Sequence, residues 1–420
     1  MSTKTRGDRP LVSIALVVLA ALWVSLFLWR KTFSYINVGG IYVIELSVML
    51  AMAAFALYVV SRPDLGFGVP RDRTLRAALV LATAMVLYSM LRTVLSPSIS
   101  AKGMIPGIYP MYLVIVTVLA ANAPSPTLAR ISRCLVICYF LAPTVGYLNG
   151  YLVRLGLIGS IESPGWTYVY GVTLALSLIL IRTPLLSIAL FGIYFLFTLF
   201  LFQRGAFVDF ALAWFAVFAA ARWRDRLRLS RTALFRGVLV GAVGILLAPI
   251  AFEFISGGRY GRFLVTPWNV IQFFLSIFGS SVDLVGVIGT RQHRLEMWAE
   301  ITKLVFSSYP TALFGFGFGG EVGDALGVSF RAPHNGFITI LYRGGVVGLM
   351  LFVGVLVSLF AMYAKKLRAA PPDSPQWRHA AVGLIILGSL VGDSLAGTIL
   401  DSPFTSMMFY IQAGVVAALL

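Results

Sequence analysis

Residues 185–221 read LLSIALFGIYFLFTLFLF, then Gln203-Arg204-Gly205, then AFVDFALAWFAVFAAA. Each apolar run, 185–202 and 206–221, is close to the length a helix needs to cross a ~30 Å hydrocarbon core. Backbone amides have no water to bond there, so a spanning run satisfies them internally, as a helix does. Joined by a tripeptide, the two runs form a helical hairpin with Arg204 at its tip. Worked outward, the same reading predicts about twelve spans: 11–29, 38–61, 77–95, 104–121, 131–149, 166–181, 185–202, 206–221, 237–256, 337–363, 379–399 and 404–420. With 59% hydrophobic and only 12% charged residues, the composition belongs to a membrane protein. The expected fold class is therefore all-α and polytopic, with a large extramembrane loop at about 257–337 that carries short helices. No soluble domain and no internal repeat stand out.

Basic residues set the orientation, because short loops rich in Lys and Arg stay cytoplasmic. With Lys4, Arg6 and Arg9 inside, the loops 62–76, 122–130, 182–184, 222–236 and 364–378 are cytoplasmic and hold most of the positive charge. The net charge of +17 is then a topology signal and not a mark of nucleic-acid binding. No small-residue cleavage site follows the first span, which reads as a retained anchor. Cys134 and Cys138, four apart in one expected helix, read as packing residues.

Several basic residues fall on the outer side, against that bias. Arg30, Lys31 and Arg92 end helices and can snorkel. Arg204 is either such an anchor or an anion ligand, with Asp209 the one carboxylate close in sequence. The long loop adds Arg259, Arg262, Arg291, Arg294, Lys303 and Arg331. Thr290 to Trp298 reads as a helix start capped by Thr290, with Leu295, Trp298, Ile301, Thr302 and Val305 as its apolar stripe. Arg291 and Arg294 share one side of its first turn, where two guanidiniums beside terminal N–H groups suit a phosphate. Salt bridging with Glu296 and Glu300 is the alternative. Residues 267–280 read as an interfacial helix. The run Gly315-Phe316-Gly317-Phe318-Gly319-Gly320 follows no strand of a βαβ unit, so it is no nucleotide loop; it would let a headgroup or glycan approach the backbone.

Of three histidines, His379 opens a helix and His293 shares the Arg291/Arg294 turn. His334 follows Pro333 and precedes the apolar run from Phe337, at or near a helix N-terminus. A helix N-terminus and nearby arginines both disfavour imidazolium, which suits a general base; a simple capping role is the alternative. The acids of the outer side, Glu162, Asp283, Glu321, Asp324, Asp393 and Asp401, are scattered, with no Asp-x-Asp pair for a divalent cation. Charge on a diphosphate would be met by arginine, and no metal or cofactor is expected.

Taken in order, Arg204-Gly205, Arg294-x-x-x-Trp298, the run Pro310 with Gly315, Gly317 and Gly319, and His334-Asn335 resemble the O-antigen ligase and Wzy-type polymerase superfamily. The resemblance covers roughly 185–365 and departs at Gln203, where the family pattern has Ser before Arg. It implies a metal-independent, inverting glycosyltransferase of the GT-C type in a bacterial inner membrane, with its active site facing the periplasm. It divides the chain into an N-terminal bundle (1–184), a catalytic region (185–365, containing the periplasmic loop 257–337) and C-terminal helices (366–420). The donor it implies is a glycan on undecaprenyl diphosphate, held by Arg204, Arg291 and Arg294. The acceptor is lipid A–core for a ligase, or a second lipid-linked repeat for a polymerase. His334 is the implied base, with Asn335 and Asp393 as candidate supports. Arg259, Arg262 and Lys303 exceed what one diphosphate needs and favour the ligase through lipid A phosphates. A lipid-linked oligosaccharide transporter is the reading from another class, weakened by few intramembrane acids (Glu45, Asp209, Asp393).

Overall fold

The computed structural model describes residues 72–96, 107–123, 125–154, 167–200, 204–229, 231–232, 235–240, 288–318, 335–396 and 403–420, with short pieces between 17 and 53 and between 243 and 264. Within these, the chain is helical: α1 Arg73–Val94, α2 Met111–Ala121, α3 Ser125–Arg154, α4 Thr167–Ile179, α5 Pro184–Phe200, α6 Arg204–Ala220, α7 Ile288–Val305, α8 Tyr309–Phe314, α9 Gly336–Ala369, α10 Pro375–Ala396 and α11 Pro403–Leu419. Two antiparallel pairs of two residues each are added, β1 (Asn37–Val38) with β2 (Ile41–Tyr42) and β3 (Arg259–Tyr260) with β4 (Phe263–Leu264).

Among the described residues, four helical stretches are long and apolar enough to cross a membrane: Arg73–Val94, Pro126–Val145, Gly336–Ala369 and Pro375–Leu395. Five shorter apolar helices accompany them: Met111–Ala121, Val169–Ile179, Pro184–Thr198, Gly205–Ala220 and Phe409–Leu419. These coincide with the expected spans from 77 onward, the 237–256 span excepted. The expected spans 11–29, 38–61 and 237–256, the anchor role of the first of them, and the interfacial helix 267–280 lie outside the described residues.

Three expectations are corrected. The 104–121 span is helical at 107–108 and over Met111–Ala121, with a turn at Tyr109–Pro110 where Pro110 caps the longer piece; 104–106 lie outside the described residues. The 337–363 span runs over Gly336–Ala369 and is broken at Gly345 (φ 60°, ψ −162°). The 222–236 loop is partly helical, at 223–229, 231–232 and 235–236. Of the two cysteines, Cys138 is buried in the core but Cys134 is exposed.

Burial ranks the helices. In α10 78% of the most apolar window is buried, against 39% in α1 and α9, so α10 is the central post. It packs on α6, α9, α4 and α11, and α6 is itself wedged between α4 and α10. Small residues allow this. A Cβ at Gly388 would lie 2.6 Å from the Ala213 Cα and Leu212 carbonyl, and one at Gly392 2.7 Å from the Asp209 Cα. On the other face of α6, a Cβ at Gly171 of α4 would lie 2.9 Å from the Ala206 carbonyl. Gly388-x-x-x-Gly392 thus has the small-residue spacing by which membrane helices approach backbone to backbone.

Pro143 sits inside α3 and has no N–H for the Tyr139 carbonyl; the Thr173 hydroxyl of α4 donates to that oxygen instead, at 2.5 Å. At its N-terminus α1 is capped by Asp72. Its Oδ1 accepts from the Thr74 and Leu75 backbone N–H groups (2.9 and 3.4 Å) and from the Thr74 hydroxyl, and its Oδ2 meets Lys365 Nζ of α9 at 3.2 Å.

All helix ends near 72, 125, 182, 220, 369 and 375 share one end of the bundle, linked by Lys365–Asp72, Arg182–Asp373 and Arg368–Ala220 contacts. The basic residues gather there, which is the end that charge bias predicts to face the cytoplasm.

Three outcomes are expected. Gly388→Ala drives a methyl into the backbone of α6 and should destabilise the detergent-solubilised protein by ~1–3 kcal/mol. Gly237→Ala, with open space around its Cβ, should leave the melting temperature unchanged or raise it. Burial works to raise the Asp72 carboxyl, but the bonds from Thr74, Lys365 and the Leu75 and Thr74 N–H groups outweigh it and hold it at about 2, below its ordinary 3.8. A depressed carboxyl contributes stability above its ordinary value and loses it as pH falls through the folded one. Stability of the wild type minus that of Asp72→Asn should be constant near neutrality and shrink between pH 3.8 and about 2.

Candidate functional site

At the opposite end of the bundle, the starts of α6 and α9 meet the last turn of α10. Asn335 is the N-cap of α9: its Oδ1 accepts the Ile338 N–H at 3.0 Å, and the Thr339 hydroxyl donates to its carbonyl at 2.8 Å. Its Nδ2 donates to the Leu395 carbonyl of α10 at 3.2 Å. One side chain therefore caps one helix with its acceptor and ties down the end of another with its donor. Asn335 is the chain neighbour of His334; His334 itself lies outside the described residues, as do Arg262 and Arg331.

Asp393 stands two residues before Leu395 and is buried. Across the interface Asp209 of α6 is fully buried, its backbone carbonyl accepting from the Ser389 hydroxyl of α10 at 3.4 Å. Neither Asp209 carboxyl oxygen has a hydrogen-bond partner among the described residues. The Asp393 carboxyl lies within electrostatic reach of it. Acids at this depth are costly and, where they occur, they mark working sites in membrane proteins. Among the described residues no three His, Cys, Asp or Glu side chains gather to hold a metal ion. Arg204 opens α6 five residues before Asp209, at this same end, as the hairpin reading expects; its side chain is outside the described residues.

Helix α7 carries the expected arginine pair and docks on the first half of α9. Met297, Ile301 and Val305 bury themselves against Leu341 and Tyr342, with Trp298 and Phe316 packed alongside. The expected stripe is corrected at two points. Leu295 is exposed and Met297 fills the inner position. The helix begins at Ile288, so Thr290 lies inside its first turn and is not the cap. Arg294 is half-buried and Lys303 exposed, while only the backbone of Arg291 is described. Arg259 lies in the β3–β4 pair, opposite Leu264, and its side chain lies outside the description.

The Gly-rich run turns out to be a splice. In an unbroken α9 the carbonyls of Tyr342 and Arg343 would accept from residues 346 and 347, but the turn at Gly345 removes those donors. The Phe316 and Gly317 N–H groups replace them, at 2.8 and 2.9 Å. Phe316 stacks on Tyr342 (centroids 5.0 Å apart). From α1, the Tyr88 hydroxyl donates to the Gly344 carbonyl at 2.7 Å, and Arg92 Nη2 to the Gly315 carbonyl at 2.8 Å. Gly315 (φ 65°) and Gly345 (φ 60°) face each other so closely that a Cβ on either would lie 2.6 Å or less from the opposing backbone. At 315–317 the glycine backbone is approached by α9, and Arg92 is bonded into this splice at the Gly315 carbonyl; Gly319 and Gly320 lie outside the described residues.

Two partners were missed from sequence. The acid pair Asp209 and Asp393 joins helices 184 positions apart, and the Asn335–Leu395 bond joins residues 60 apart. The Gly388-x-x-x-Gly392 spacing is the signal that could have predicted α10 against α6. In comparisons with known proteins, no family model matches the chain and no curated protein is significantly similar to it.

The double role of Asn335 can be separated. Asn335→Asp keeps the acceptor for Ile338 but loses the donor to Leu395, whereas Asn335→Ala loses both. Alanine should cost ~1 kcal/mol more than aspartate if capping dominates; amide hydrogen exchange at the end of α10 should rise in both variants, since both lose the tie.

Proposed function

We propose that this chain is a polytopic GT-C type glycosyltransferase, of about twelve spans, acting at the periplasmic face of a bacterial inner membrane. In this reading it moves O-antigen from undecaprenyl diphosphate to a hydroxyl of lipid A–core, as an O-antigen ligase. The observation that carries it is the meeting of Arg204-headed α6, Asn335-capped α9 and the Asp393 turn of α10 at the bundle end away from the basic turns. Of the motifs that resemble the ligase and polymerase superfamily, Arg204 and Asn335 stand at the starts of neighbouring helices, which supports this reading.

The chemistry follows from the groups. The acceptor hydroxyl attacks the anomeric carbon from the side opposite the diphosphate. A new C–O bond forms as the bond to undecaprenyl diphosphate breaks, and His334 takes the hydroxyl proton. The departing diphosphate gains charge and needs stabilisation more than a proton. Arg204, Arg291 and Arg294 supply it, guanidinium forks matching phosphate oxygens. Asn335 supports the base by fixing the chain beside it, and Asp393 is a candidate partner for the imidazole or an arginine. No metal enters the reaction. Arg259, Arg262 and the exposed Lys303 of α7 are candidate contacts for lipid A phosphates.

Purified protein supplied with undecaprenyl-diphosphate glycan and both acceptors decides the class by product mass. Glycosylated lipid A–core supports the ligase, a lengthened lipid-linked glycan the polymerase, and no product with either acceptor a transporter. His334→Ala should lose roughly 100- to 10,000-fold in transfer while still binding donor. The acid limb of the pH–rate profile should fall as the imidazole protonates. EDTA should leave the rate intact; loss of activity restored by magnesium or manganese overturns the arginine assignment.

A further inference from the structure

The opposite end of the bundle holds a cleft that the proposed reaction does not use. It is open to solvent and lies between the end of α4, the turn before α5, the helical pieces 223–229 and 231–232, and the α9–α10 turn. Arg182, Arg228 and Arg236 line it, with Asp225, Asp373 and Trp377. Three guanidiniums thus face two carboxylates.

Their bonding shows where the excess lies. Arg228 Nη1 pairs with Asp373 Oδ2 at 2.8 Å, and Arg182 Nη2 donates to the Asp373 carbonyl at 2.8 Å with its Nε 3.9 Å from Oδ1. Arg236 is different. Buried, it donates through Nη1 to the Leu178 carbonyl (3.0 Å) and the Ser187 hydroxyl (2.6 Å), both neutral. Burial, then repulsion from Arg228, push its guanidinium below the ordinary value, and no carboxylate pairs with it among the described residues.

The surroundings are apolar and outward-facing. Leu185 and Leu186 follow the Arg182 turn, Trp223 and Leu227 flank Asp225, and Phe235 precedes Arg236; all are exposed. A free anion has no use for such a skirt. An amphiphile with a phosphate head and acyl chains uses both parts.

We propose that this cleft binds the headgroup phosphate of an acidic phospholipid, with the acyl chains over Leu185, Leu186 and Phe235. The phosphate completes the charge of Arg236 and competes with Asp373 for Arg182 and Arg228. Asp373 is in effect a tethered stand-in for the ligand. The site is independent of the transfer reaction and of its assignment.

Competition gives a test with opposite signs. The full-length protein, in zwitterionic detergent, is titrated with phosphatidylglycerol, phosphatidylcholine or inorganic phosphate, and bound lipid is counted by native mass spectrometry. Phosphatidylglycerol should bind and phosphatidylcholine should not. Asp373→Asn keeps the left-handed backbone (φ 64°), which asparagine tolerates, and keeps the carbonyl bond to Arg182. It should bind phosphatidylglycerol about 3-fold more tightly, the scale of one exposed ion pair. Arg182→Gln with Arg228→Gln, both largely exposed side chains, should bind it roughly 10-fold more weakly. Equal binding of phosphatidylcholine, or unchanged or weaker binding in Asp373→Asn, overturns the proposal. So does saturation by inorganic phosphate at the same concentration, which would make the cleft a free-phosphate site.

Discussion

Inside a bilayer a carbonyl that leaves its helical partner finds no water, and this one constraint governs the irregular parts of the molecule. Pro143 strands the Tyr139 carbonyl, and Thr173 meets it. The turn at Gly345 strands those of Tyr342 and Arg343, and the Gly-rich run meets them with its own N–H groups. At the C-terminus of α6, Arg226 donates to the carbonyls of Ala219 and Ala221, and Arg368 to that of Ala220. In each case the helix is broken or ended only where another element supplies the donor. The irregular positions are therefore where distant segments are held together: α3 to α4, the 315–317 run to α9, and the last turn of α9 to α6.

Close approach is the second organising feature. Glycines at 171, 388 and 392 let α6 lie against two neighbours at once, which is what brings Asp209 next to the Asp393 turn. Tight packing and the buried acids are one feature. A methyl at Gly392 would push on the Asp209 carboxyl itself, 2.6 Å from its Oδ1. The candidate site sits on a closely packed seam of the bundle, which favours fixed positioning of whatever groups act there.

Much of the architecture was legible because lipid makes a simple demand: runs of apolar residues, helical, with positive charge at one end. The 185–202 and 206–221 hairpin fell within two residues of α5 and α6. What the sequence hid were departures from periodicity. Gly345 lies in an apolar run and looks like any membrane glycine; its left-handed turn is dictated by Gly315 across the splice, a partner 30 residues away. Arg92 looked like a helix-end anchor because its acceptor, the Gly315 carbonyl, is 223 residues distant. Of the candidate site, Asn335 and Asp393 come together as neighbours of one helix junction, while Arg294 belongs to α7, which reaches that junction only through α9. Met297 takes the inner place expected of Leu295, two positions earlier, because periodicity alone fixes the phase of an amphipathic helix only loosely.

The arginine caps on α6 carry a consequence for how the chain reaches its orientation. The same basic residues that bias insertion are afterwards engaged: Arg226 and Arg368 on the α6 carbonyls, Arg236 on Leu178 and Ser187, Lys366 on the Leu420 carbonyl. A chain still being threaded can be reversed by relocating charges. Once folded, reversal would first require uncapping several helix ends inside the protein and only then carrying cations through hydrocarbon. Topology, at first a statistical preference, is thereby converted by folding into a latch.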